Sequence, residues 1–293
     1  GEGVSAAAAA AVLFEATGRP GGEACDAGDD RARIACLLRL RFATDTKAAA
    51  AAVALYAAAG WVAGVERAHV MEGGWRGKVT IVPEPPALKY RRHLDWVAAA
   101  AADFGAFFSA LAPRAPRPPT YRWRDLAFRF FRSVGKATPS AYAADWTVAY
   151  NVSGSLLRSA AGVRATLFHE IFHLNDQSHG GWSAAALGPT YDALAARCRV
   201  GKAAPAKVNA CLKPYAPHAT KIIGSVYYAF HPESGVTEYA AELAVRYFDE
   251  QRAVLAGAPP AGRPFKCGPP ENAHAWRRLV DEFFGGADLV PAC

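Results

Sequence analysis

Apolar residues recur along this chain in two rhythms, one helical and one strand-like. Residues 5–16 are almost wholly apolar and predict a short helix, ended by Gly18 and Pro20. From 34 to 42 the pattern alternates. Ile34, Cys36, Leu38, Leu40 and Phe42 share one face and Arg39 and Arg41 the other, which predicts a half-buried strand. Residues 45–59, with Val53, Leu55 and Tyr56 among alanines, predict a helix stopped at Gly60. Two strands are expected near 62–70 and 78–82, parted by Gly73-Gly74 and closed by Pro83, Pro85 and Pro86. A long helix fits 91–111, its stripe formed by Leu94, Val97, Phe104, Phe107 and Phe108.

The four prolines between Pro113 and Pro119 require an extended loop, read as internal to a domain rather than as a linker. Strands are expected at Leu126–Phe131 and Trp146–Val152, then a helix from about Leu156 to Asn175. The remainder reads as helix and loop, without repeats. These elements predict an α+β fold with a small mixed sheet in an N-terminal lobe and a mostly helical C-terminal lobe. The expected organisation is a single domain over 1–293. Its lobes run over about 31–180, including the helix 156–175, and about 181–293, with 1–30 as an N-terminal extension.

Composition narrows the class. With 293 residues, 52% hydrophobic and 20% charged, the chain can build a sizeable core and is not of the disordered kind. The most apolar run, Ser5–Phe14, is well short of the roughly 20 residues of a membrane span and has no basic leader, so no span is expected. The net charge of +7 comes from scattered basic residues interleaved with acids, which does not describe a nucleic-acid binder. Six cysteines fall in three local pairs, Cys25/Cys36, Cys198/Cys211 and Cys267/Cys293, none of them C-x-x-C. Three disulfides are expected, and with them a secreted or periplasmic bacterial protein whose export signal has been removed.

The chemistry concentrates in His169-Glu170-Ile171-Phe172-His173, an H-E-x-x-H inside an apolar helix. Histidines four apart lie one turn apart on one helix face, so both imidazoles can meet one ion, and the adjacent Glu170 can reach a water on it. Val163, Leu167, Ile171 and Leu174 form a stripe with Phe168 and Phe172 beside it, so these polar groups sit where burial without a partner is costly. A catalytic zinc site needs a third protein ligand and an open position.

Three residues are candidates for that ligand. His179 completes the metzincin spacing, but Asp176 stands where that pattern has glycine. The single methionine, Met71, lies upstream, so no Met-turn can form. Glu238 and Glu242 lie one turn apart in Thr237-Glu238-Tyr239-Ala240-Ala241-Glu242. Two carboxylates so placed repel, and either a cation near Glu238 or Arg246 pairing with Glu242 would relieve them.

The H-E-x-x-H followed by this glutamate helix resembles the gluzincin branch of the zincin metallopeptidases. It is closest to the anthrax lethal factor-like catalytic domains. The order of strand, helix and two strands, then two more strands before the motif helix, is similar to the upper lobe of zincins. The resemblance implies a Zn²⁺ held by His169, His173 and Glu238, with Glu242 orienting a ligand histidine. It places His231 where that pattern carries a catalytic tyrosine. His231 and Tyr228 are therefore the candidate oxyanion donors, with Tyr227 beside them.

The expected activity is hydrolysis of peptide or protein substrates by a monomeric zinc endopeptidase with Glu170 as general base. Strand 146–152 is expected at the sheet edge, pairing with the substrate. The alternatives are a non-catalytic zinc-stapled extracellular binding protein and a metzincin-like peptidase that uses His179.

Overall fold

The computed structural model describes residues 3–18, 23–221, 224–258 and 261–293; Pro20, the expected stop of the first helix, lies outside them. The fold is mixed α and β. Two compact units are present, one from Gly1–Ala106 and Trp123–Ile171, the other from Phe107–Arg122 and Phe172–Cys293.

The first unit opens with α1 (Ala6–Phe14), capped by Ser5, whose side chain accepts from the Ala8 N–H, and followed by a left-handed Gly18. The segment read as an N-terminal extension thus carries a helix whose Ala9, Val12 and Leu13 are buried. The stretch read as a strand at 34–42 is α2 (Asp30–Arg41). Asp29 caps it by accepting from the Ala32 N–H, and Ile34, Leu37 and Leu38 form a buried stripe at helical spacing. The alternation is the minor pattern, since Leu40 on that face is 45% exposed. The strand that headed the zincin-like order is therefore absent. α3 (Thr46–Ala59) is capped by Asp45 and ends on the left-handed Gly60, as the pattern predicts.

One six-stranded sheet follows. The segment 62–70 is two strands, β1 (Val62–Val65) and β2 (His69–Glu72), and β2 forms a hairpin with β3 (Lys78–Pro83). β4 (Ala127–Ser133) is central: it pairs parallel with β1, antiparallel with β3 and parallel with β6 (Thr147–Asn151). The pattern missed β5 (Ala141–Ala144), a short alanine-rich strand antiparallel to β6. β5 therefore takes the edge, and β6 is interior, not the edge strand expected for 146–152.

Both faces of β4 are covered. Phe128 and Phe130 stack on each other, with Trp61 against the first and Tyr150 against the second. Phe131 points the other way into a small cluster with Val79, Ile81 and Ala149. At Gly64 on β1 a Cβ would collide with Val12 of α1 and the Phe128 carbonyl, so glycine is what lets helix and sheet approach.

α4 (Arg91–Leu111) matches its predicted bounds, and with its flanking turns it is long and apolar enough to cross a membrane by length and composition alone. Its Leu94, Val97 and Phe104 are fully buried, so one face of it packs into the core. His93, near its start, is buried with Nδ1 2.7 Å from the Tyr150 hydroxyl. Burial, and secondarily Arg92, lower its pKa to about 4.

α5 (Ala160–Ser178) carries the H-E-x-x-H, and the boundary between the units falls inside it, after Ile171. Asn151, fully buried at the end of β6, holds the approach to α5. Its amide donates to the Ser133 hydroxyl and the Pro139 carbonyl, and its oxygen accepts from the Ser153 N–H.

The second unit is helical: α6 (Trp182–Arg197), α7 (Pro205–Leu212), α8 (Gly235–Leu255) and α9 (Pro270–Phe283). Its aromatic core includes Phe107 against Phe248, and Tyr121 and Tyr247 each stacked on Phe284. The three cysteine pairs form the expected local disulfides. Such bridges typically contribute about 2–4 kcal/mol each, and they fit an extracellular or periplasmic location. The tail between Phe284 and Cys293 is further held by Asp288, which accepts from Gln251, Lys266 and Trp276. Those donors keep its carboxyl below the usual range against the opposing effect of burial.

Candidate metal centre

α5 sets the first two groups. Its apolar stripe is buried as the pattern requires, with Leu167, Phe168, Ile171 and Phe172 all fully inaccessible, which fixes the helix about its own axis. His169 and His173 then project one turn apart on a neighbouring face. Beyond the helix, Asn175 clamps the backbone of Arg122, accepting from its N–H at 2.7 Å and donating to its carbonyl at 2.9 Å. Asp176, which departs from the metzincin glycine, is buried and accepts from the Ser183 N–H and hydroxyl. It thereby fixes the turn into α6 through the left-handed Gly180 and Gly181.

α8 brings the third group. Glu238 lies in its first turn, and Glu238 Oε1 is 3.1 Å from His173 Nε2. One donor atom from each of His169, His173 and Glu238 lies within 4.8 Å of the others. The side chains of His173 and Glu238 are 14% and 17% exposed, and His169 is 8% exposed. The group is shielded yet reachable from solvent. Two imidazoles and a carboxylate converging so closely each offer a lone pair to the same small volume. A shared proton or a cation satisfies that arrangement, and the donor set suits a borderline-soft divalent metal such as zinc. The three could hold a metal ion.

The other predicted residues fall around this centre in different ways. Glu170 follows His169 on α5 and is half-buried. Glu242, one turn beyond Glu238, is buried, and its Oε2 lies 3.6 Å from His218 Nδ1. Of the two ways of relieving the glutamate pair, the pairing of Arg246 with Glu242 does not form among the described residues. Arg246 turns to Glu250, one turn further on, and also donates to the carbonyls of Pro217 and Arg263. His218 escaped the sequence reading because it lies in a loop 24 residues before its partner, at no motif spacing.

His179 belongs elsewhere. Its Nδ1 is 2.8 Å from Glu282 Oε1, and its ring packs on Phe283. Tyr228 begins a single 3₁₀ turn, Tyr228–Phe230, just ahead of α8, and Tyr227 before it is buried under Lys221. His231 closes that turn. Its Nδ1 accepts from the Glu233 N–H at 3.2 Å, which assigns the proton of the neutral ring to Nε2 and makes that nitrogen a donor.

No protein-family model, no curated protein and no solved structure matches this chain.

Proposed function

We propose that the protein is a zinc-dependent metalloendopeptidase of the gluzincin type, with a two-lobed zincin-like arrangement. The observation that carries this reading is the meeting of Glu238 from α8 with both histidines of the H-E-x-x-H on α5. Two imidazoles and one carboxylate leave a coordination position open, the requirement that separates catalytic from structural zinc. Bound there, zinc would supply a Lewis acid and a water whose pKa falls to about 7.

The chain's own groups then have distinct tasks. Glu170 accepts the proton of the attacking water on its carboxylate and delivers it to the leaving amide nitrogen. The Nε2–H of His231, with Tyr228 as the other candidate, donates to the oxyanion of the tetrahedral intermediate. Glu242, whose Oε2 lies 3.6 Å from His218 Nδ1, is the candidate positioning carboxylate. β5, the edge strand beside β6, is a strand that could pair with an extended substrate; β2 is the edge at the other end of the sheet.

Glu170→Gln tests the reading, because glutamine keeps the volume and cannot accept the proton. Zinc content and the melting temperature should be unchanged, while hydrolysis of a denatured protein substrate falls at least about 10²–10⁴-fold. Equal activity in Glu170→Gln and wild type rejects the mechanism. A zinc-loaded wild type that cleaves no peptide bond leaves a zinc-stapled binding protein in its place.

A further inference from the structure

The second unit contains a pocket of about 590 Å³ that includes none of the three metal-binding candidates. Its long wall is α6, where Ala184, Gly188, Ala195 and Ala196 present almost no side chain. A Cβ at Gly188 would meet nothing within 4 Å, so the space in front of the helix is open. Pro232, Val200 and Val236 complete an apolar lining.

The polar groups of the pocket are not spent on the protein. Tyr191 lines it and is 8% exposed, with its ring stacked on Phe230 at 5.4 Å. Its hydroxyl has no hydrogen-bond partner among the described residues. Burial, with Asp192 adding to it, pushes that hydroxyl up to about 12, so it stays protonated and able to donate.

Arg199 and Lys202 stand at the rim and form no ion pair among the described residues. The N-terminus of α8 opens on the same space at Gly235, where no side chain caps the first amides. Arg199 also occupies the residue after the C-cap of α6 with φ of 57°, a position that glycine fills at lower cost. Asp192, two turns before Arg199, is the acid on this wall.

Two cations, the protonated hydroxyl of a buried tyrosine and an uncapped helix start, placed around an apolar floor, select one ligand chemistry. We propose that this pocket binds a carboxylate carried on a short apolar chain, as at the free C-terminus of a peptide. Arg199, Lys202 and the α8 amides take the carboxylate, Tyr191 donates to it, and the small-residue wall of α6 accommodates the apolar body. The inference does not rest on the peptidase reading, since neither the zinc candidates nor Glu170 takes part.

Calorimetric titration of the zinc-loaded protein, in the Glu170→Gln form so that ligands survive, tests it. The probes are acetyl-Ala-Ala-Val as free acid, the same peptide as C-terminal amide, and acetyl-Ala-Glu-Ala-amide. The free acid should bind at least about tenfold more tightly than its amide. Arg199→Gly, which relaxes the backbone while removing the guanidinium, should weaken the acid about tenfold. Gly188→Leu should abolish binding by filling the space, and a melting curve checks that this variant is folded. If it is not folded, Arg199→Gly carries the test alone.

Tighter binding of the glutamate peptide than of the free acid would keep carboxylate recognition and assign its source to acidic side chains. Equal affinity for acid and amide, absence of binding at millimolar peptide, or unchanged affinity in Arg199→Gly overturns the proposal. So does loss of binding on chelation of the zinc, which would place the carboxylate on the metal.

Discussion

The two ends of α8 treat carboxylates in opposite ways. In the first turns Glu238 faces His173 and Glu242 faces His218, groups that are neutral or charged according to their protonation. Further along, Glu250 faces Arg246, which is always charged, and also accepts from the Phe265 N–H. A carboxylate met by arginine has its charge answered by the protein and serves the fold. A carboxylate beside an imidazole has a partner whose charge changes when a proton or a metal arrives. The same residue type on the same helix thus meets a permanent cation at one end and imidazoles at the other.

Removing each carboxylate should separate these roles, and the largest effect is expected at Glu238. Glu238→Ala should lower zinc affinity by a factor on the order of 10³ or more, read by competition with a chelator, while leaving the melting temperature of the metal-free protein unchanged. Glu250→Ala should do the reverse. Zinc affinity holds, while stability falls by about 2–3 kcal/mol in urea unfolding, because Arg246 loses its partner but keeps partial access to water. If both variants lose metal equally, the two ends of the helix are not distinct. Glu242→Gln should lie between, with zinc affinity weakened about 10–100-fold and little change in stability.

Acid extends the comparison to an imidazole outside the candidate centre, buried His93 beside the Tyr150 hydroxyl. His93 has a folded pKa of about 4 against an ordinary 6.5, so between these values the unfolded chain holds more protons than the folded one. Its contribution is complete above pH 6.5 and is lost as pH falls towards 4, about 3 kcal/mol in all. Urea unfolding of the metal-free protein at pH 7 and pH 4 should show this loss. His93→Gln should show a smaller one by that amount, with zinc affinity at pH 7 unaltered.

Legibility in the sequence followed the range of the interactions. α4 and the helix at 46–59 were readable because stripe, cap and stop lie within one segment, and the H-E-x-x-H because its geometry is that of a single helical turn. The segment 34–42 misled because Ile34 and Leu38 fit both periods. What decided for the helix was Leu37, which the alternation ignored, together with the cap at Asp29. β5 was invisible because Ala141-Tyr142-Ala143-Ala144 has no β-branched residue, and its pairing with β6 supplies the order. The fate of the glutamates was the least legible. Spacing allowed Arg246 to reach either Glu242 or Glu250, and the loop carbonyls of Pro217 and Arg263 that draw it to the latter are remote in sequence.

The most direct test of the central claim is X-ray absorption at the zinc edge on the purified, zinc-loaded protein, in wild type and in Glu238→Ala. One zinc per chain is expected, with two imidazole nitrogens at about 2.0–2.1 Å and a carboxylate oxygen at about 2.0–2.2 Å, the carboxylate contribution vanishing in the variant. A third imidazole in place of the carboxylate, or a spectrum identical in both proteins, would contradict it.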